Sequence, residues 1–180
     1  MQNLLFLIGY MGAGKTTIGK RLAQHLGLPF IDLDWMIEEK YGMKVSCIFK
    51  NEGEASFREK ERAVLHDIGM KENAVIALGG GTPCFSDNMD YISQHGTSVY
   101  LKAHTETLIN HIRMGTNGKP QSRPLIDGKS DEELTTFISQ NLIQREPFYL
   151  RANYVVEIET LRTQQQIDHV CNRIRALLML

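Results

Sequence analysis

Leu4-Leu5-Phe6-Leu7-Ile8-Gly9-Tyr10-Met11-Gly12-Ala13-Gly14-Lys15-Thr16-Thr17 is the stretch that decides the fold. Five consecutive apolar residues read as a strand buried on both faces. Gly9 to Thr16 satisfies the phosphate-loop pattern Gly-x-x-x-x-Gly-Lys-Thr, and from Lys15 to Leu26 the residues Ile18, Leu22, Ala23 and Leu26 fall at helical spacing. Strand, tight loop and helix in that order form an anion site. Small residues let backbone amides turn toward one phosphate, and the first turn of the helix adds donors and a favourable dipole. Gly12, Ala13 and Gly14 supply amides, Lys15 reaches the transferring phosphoryl group, Thr16 offers a hydroxyl to Mg2+, and Thr17 supports them. The pattern calls for a nucleotide's phosphates, with ATP and phosphoryl transfer the first expectation and a nucleotide-controlled switch the alternative that the loop alone leaves open.

Outward from this motif, strand candidates recur at Phe30 to Leu33, Ala74 to Leu78, Ser98 to Leu101 and Tyr154 to Ile158. Helix candidates lie between and after them, at about 35–41, 53–69, 88–94, 105–113, 131–150 and 163–178. Such alternation predicts an α/β fold with a parallel sheet covered on both faces. Right-handed crossovers then bring the loop-bearing strand ends to one edge. Ser130, followed by Asp131, Glu132 and Glu133, has the form of a helix start with a capping box. Residues 114 to 129 carry Gly115, Asn117, Gly118, Lys119 and Pro120 with little apolar content, as expected of a surface excursion that closes as a lid.

A chain of 180 residues with 42% hydrophobic content suits one domain, 1–180. A net charge of −1 supplies no bulk positive field for nucleic acid or an anionic membrane. Cys47, Cys84 and Cys171 are far apart and lack ligand spacing, which argues against a disulfide framework or structural zinc. No basic segment precedes Leu4 and Gly9 interrupts the apolar run, so a strand is favoured over a signal peptide and the cytoplasm is the expected location. No assembly helix stands out, and a monomer is expected.

The metal needs a carboxylate, and the third strand candidate ends in glycines rather than in aspartate. Asp32 and Asp34 close the second strand candidate, where two-residue spacing can put both side chains on one face. One can act through metal-bound water and the other on a hydroxylated acceptor; either can instead cap the helix that follows. In the next helix Arg58, Glu61 and Arg62 are neighbours by i+3 and i+4 relations. Arg58 offers a bidentate fork for an anionic acceptor, or an ordinary pair with a nearby glutamate. Phe57 reads as packing. Gly79-Gly80-Gly81 permits close backbone approach at the active edge, though a turn alone would also explain it. Arg113, Arg123 and Arg145 frame and follow the excursion, with Arg123 suited to developing phosphoryl charge and Arg145 to an acid; solvated arginines are the plain alternative.

Taken together, Gly9 to Thr17, Phe30-Ile31-Asp32-Leu33-Asp34, Phe57-Arg58-Glu59-Lys60-Glu61, Gly79-Gly80-Gly81, Arg123-Pro124-Leu125 and Arg145-Glu146-Pro147-Phe148-Tyr149 closely resemble the shikimate kinase family over nearly the whole chain. The resemblance implies the nucleoside-monophosphate-kinase-like P-loop fold, three αβα layers with a five-stranded parallel sheet in the order 2-3-1-4-5. It implies ATP-dependent phosphorylation of the shikimate 3-hydroxyl in chorismate and aromatic amino-acid biosynthesis, a substrate-binding region near 35–62 and a lid near 114–129. By resemblance, Lys15, Asp34 and Arg123 are catalytic. Gly12, Ala13, Gly14, Lys15, Thr16, Thr17, Arg113 and Arg123 bind nucleotide, with Arg113 on adenine. Asp34, Arg58, Gly80 and Arg145 contact shikimate, and Glu61 orients Arg58. Thr16 ligates Mg2+ directly and Asp32 does so through water. Met114 to Ser122 is longer than the usual family connection, and the loop near Thr163-Gln164 lacks a family-like proline. A gluconate-kinase-like enzyme and a nucleotide-controlled interaction module are the competing readings.

Overall fold

A strand apolar on both faces finds its place in the middle of a sheet. In the computed structural model, which describes residues 3–69, 73–115 and 128–179, β1 (Asn3–Ile8) is that strand, with Leu4 through Ile8 buried. It pairs in parallel with β3 (Asn73–Ala77) on one side and β4 (Gly96–Ala103) on the other, Leu5 facing both Val75 and Thr97. β2 (Phe30–Asp32) joins β3 with Phe30 opposite Val75, and β5 (Tyr154–Ile158) joins β4 with Tyr154 opposite Val99. The resulting order is β2-β3-β1-β4-β5, as the resemblance implies.

Helices cover the sheet to make three layers. α1 (Lys15–Leu26) packs on β3 and on α7 (Gln164–Leu177), burying Ile18 and Leu22. α2 (Leu33–Tyr41) packs on α3 (Val45–Ile68), and α4 (Asn88–His95) lies on β4. α5 (Thr105–Met114) meets α6 (Asp131–Tyr149). The expected capping box at Ser130 and Glu133 is present, with a second at Thr163 and Gln166. Among the described residues no helix is long and apolar enough to cross a membrane.

Two elements differ from the sequence reading. β2 stops at Asp32, because the Asp32 carboxylate accepts the Asp34 N–H at 3.2 Å and starts a helix. Asp32 and Asp34 are therefore an N-cap and a first-turn residue, not two positions on one face of a strand. α3 begins at Val45 rather than near 53 and bends at Gly53, whose φ of +83° suits glycine. Its Val45 N–H is capped by the distant Glu38 carboxylate at 3.1 Å, so no local start signal marks it. Arg123, Lys119 and nearly all of the expected lid lie outside the described residues.

Candidate active site

All five strands run parallel, so their C-terminal ends deliver the loop Gly9–Gly14, Asp32, the glycine triplet, α5 and the segment after β5 to one edge. Gly14 caps α1 at φ +86° without a side-chain cap bond, leaving the first helical amides for an anion. The positive φ requires glycine there, and a Cβ at Gly14 would also displace Leu161 Cδ1, 2.3 Å away. Lys15 Nζ donates to the carbonyls of Gly9 at 2.8 Å and Tyr10 at 3.0 Å, folding back over its own loop.

Thr16 Oγ1 donates to Asp32 Oδ2 at 2.8 Å, while Asp32 Oδ1 caps α2. One carboxylate thus caps α2 with one oxygen and receives the Thr16 hydroxyl with the other. This pair presents hard oxygen donors of the type Mg2+ takes, and magnesium keeps most of its shell as water and substrate phosphate. Among the described residues no three His, Cys, Asp or Glu side chains gather into a metal cluster.

The glycine triplet is where the other groups meet. A Cβ at Gly79 would lie 2.7 Å from Glu61 Oε1, 2.9 Å from Thr82 Oγ1 and 3.4 Å from Asp34 Oδ1. One at Gly80 would lie 3.4 Å from the Met11 amide and 3.7 Å from Arg145 Nη1, and one at Gly81 would strike the Arg58 guanidinium at 2.3 Å. Phosphate loop, two arginines and two carboxylates therefore close around backbone that carries no side chains.

Glu61 is fully buried and divided between two partners: Oε2 accepts from Arg58 Nη1 at 2.7 Å and Oε1 from Thr82 Oγ1 at 2.6 Å. The Thr82 carbonyl in turn accepts from buried Asn88 at 2.9 Å. Arg58 reaches Glu54 at 3.2 Å as well, so it makes the helical pairs and faces the triplet together. Phe57 packs on Phe49, as expected of a core residue. On α6, Tyr149 donates to the Gly80 carbonyl at 2.5 Å, and one turn earlier Arg145 lies over the Tyr10 ring at 5.5 Å. Burial raises the Tyr149 phenol pKa, keeping it a donor.

Asp34 is partly accessible at the cleft yet closely packed. Desolvation first, then the charges of Asp32 and Glu61, push its carboxyl up to about 7 against an opposing pull from Lys15. A carboxyl poised there can accept a proton near neutrality.

Arg113 takes another course. Its guanidinium donates to Asp131 and to the Lys129 carbonyl, each at 2.8 Å, on the exposed flank of α5. Arg62 pairs with Asp87 at 2.8 Å. Thr82, Asn88 and Tyr149 were not singled out by residue type, although Thr82 directly follows the triplet and Tyr149 stands four residues after Arg145.

Removing Glu61 takes from Arg58 its buried partner, leaving the exposed Glu54, and strips the buried Thr82 hydroxyl of its acceptor. Glu61→Ala is expected to cost about 3–5 kcal/mol and to lower the Tm by roughly 10 °C, while Glu61→Gln keeps part of both hydrogen bonds and loses less. Thermal unfolding of the two variants checks this; equal Tm values for wild type and Glu61→Ala would contradict it.

Comparison with known proteins places this geometry in context. The shikimate kinase family model matches residues 11–175. Shikimate kinase from Bacteroides fragilis is 48% identical over 176 residues, covering 98% of this chain and 96% of its own length. The crystal structure of shikimate kinase from Bacteroides thetaiotaomicron is 46% identical and matches with a TM-score of 0.94 over 99% of both chains. Shikimate kinase from Acinetobacter baumannii in complex with shikimate matches at 32% identity and a TM-score of 0.83, covering 99% of this chain and 94% of the other. With the phosphate loop, the 2-3-1-4-5 sheet and full-length similarity all in agreement, this chain belongs to the shikimate kinase family.

Proposed function

We infer that this chain transfers the terminal phosphoryl group of ATP to the 3-hydroxyl of shikimate, giving shikimate 3-phosphate and ADP for chorismate and aromatic amino-acid biosynthesis. The observation that carries the reading is the convergence at Gly79–Gly81 of a phosphate loop with Arg58, Arg145 and Asp34. A phosphate donor and a hydroxylated carboxylic acid can share that floor.

ATP lies with its phosphates on the amides of Gly12 to Thr17. Thr16 and, through water, Asp32 would hold Mg2+, which would neutralise phosphate charge. Arg58 and Arg145 grip the shikimate carboxylate, with Glu61 fixing the first of them and Tyr149 fixing the Gly80 carbonyl beside the second. Asp34 hydrogen-bonds the acceptor hydroxyl. As the new O–P bond forms, the bond from the terminal phosphorus to the bridging oxygen breaks, ADP departs, and the hydroxyl proton passes to Asp34. Lys15 and Arg123, the latter on the lid, stabilise the transferring charge. The proposed setting is the cytoplasm, with the chain acting as a monomer.

The test is ADP release by the purified protein with magnesium-ATP and, separately, shikimate and other hydroxy acids, with the phosphorylated carbon identified by NMR. Rapid turnover of a different alcohol with none on shikimate would sink the substrate assignment.

A further inference from the structure

His111 lies on the face of α5 that meets the phosphate loop. Its neighbours on that face, Leu108 and Ile112, crowd Gly12: a Cβ there would come within 3.1 Å of the Leu108 carbonyl oxygen and of Ile112 Cγ1. His111 itself spans two segments. Its Nδ1 is 2.8 Å from the Gly12 carbonyl oxygen, and its Nε2 is 3.2 Å from the Leu161 backbone nitrogen, in the turn between β5 and α7. The partners dictate the proton's place. A carbonyl oxygen only accepts, so Nδ1 must donate; a backbone N–H only donates, so Nε2 must accept. Only the neutral ring with hydrogen on Nδ1 satisfies both.

The Leu161 side chain completes the connection, with Cδ1 over Gly14 at the mouth of α1. The 159–163 turn thus rests on the phosphate loop through one apolar contact, and His111 holds it there through a backbone bond. Arg113, two residues on, turns instead to Asp131.

We propose that His111, as the Nδ1–H tautomer, is a positioning residue for the nucleotide, clasping the β5–α7 turn to the phosphate loop so that the ATP side of the cleft is assembled before ligand arrives. The proposal rests on the ATP reading above, but ADP binding measured without shikimate tests it independently of acceptor identity. The phosphate loop itself is held by its glycines and by β1, so the clasp acts on nucleotide affinity more than on the chemical step.

His111→Ala is expected to raise the ATP KM and the ADP Kd about tenfold, with kcat and the shikimate KM within about twofold of wild type. His111→Asn, which can donate to Gly12, and His111→Gln, whose oxygen can reach toward Leu161, should each recover part of the loss. In the wild-type protein, 15N NMR should show Nδ1 protonated and Nε2 bare. An Nε2–H tautomer, an unchanged ADP Kd in folded His111→Ala, or equal losses in both KM values and kcat would each overturn the proposal.

Discussion

Asp34→Asn is expected to lower kcat by about a thousandfold while making the folded protein more stable at pH 8. Both effects come from one environment. The carboxyl is raised to about 7 from an ordinary value of 3.8, chiefly because charging it in a desolvated position beside Asp32 and Glu61 is unfavourable. Between those two values the folded protein retains a proton that the unfolded chain has lost. Stability therefore falls as pH rises through that window, and above pH 7 the ionised group carries a penalty of up to about 4 kcal/mol. Asparagine has nearly the same shape and no charge, so the penalty disappears and the Tm at pH 8 should exceed that of wild type, with the gap closing toward pH 4. Catalysis moves the other way. An amide can hold the acceptor hydroxyl but cannot take its proton, and the wild-type kcat/KM should climb with pH to a plateau above about 7. Steady-state kinetics and thermal unfolding from pH 4 to 9 check both. A variant within tenfold of wild-type kcat would reduce Asp34 to a hydrogen-bonding role.

The same carboxylates illustrate what sequence could convey. Leu4 to Ile8 and the phosphate-loop pattern determine a buried strand, a tight loop and a helix by local rules, and the apolar strands that follow declare a parallel sheet. Asp32 and Asp34 were legible as candidates because strand three ends without an aspartate. Their geometry was not, since an N-cap and a strand end look alike until the Asp34 N–H finds its acceptor. Val45 to Glu52 escaped detection for a related reason: the cap of that helix comes from Glu38, a helix away. Glu61, Thr82 and Asn88 form one buried polar chain whose members come from two helices and the short turn after β3. Residue spacing could suggest Arg58 with Glu61, but nothing local joins either to Thr82. Arg113 illustrates a different limit. The resemblance implies an adenine contact for it, and no local signal announces that its guanidinium also pairs with Asp131 at the start of α6.

Lys15→Ala should reduce kcat by roughly 10²–10³ with a much smaller change in shikimate affinity, because the loss falls on charge that develops at the transferring phosphoryl group. The ammonium of Lys15 sits on the carbonyls of Gly9 and Tyr10. Those are neutral acceptors, and a phosphate oxygen in the same reach offers a charge-assisted bond about twice as strong, so nucleotide arrival draws the side chain from its own loop to the ligand. The loop has supports of its own besides that side chain. Gly9, Gly12 and Gly14 hold positive φ angles, the Ala13 N–H donates to Tyr10 O at 3.2 Å, and α1 starts with Ile18 N–H on Gly14 O at 2.8 Å. The alanine variant should therefore keep a Tm close to wild type, which separates a chemical defect from a folding one. Lys15→Arg retains the charge but replaces a compact, rotatable donor with a planar fork longer than the site that holds it. It should recover only part of the rate if placement matters as well as charge. Single-turnover measurements at saturating ATP and shikimate read the phosphoryl-transfer step directly, and a Lys15→Ala rate within tenfold of wild type would remove this side chain from the stabilisation of the transition state.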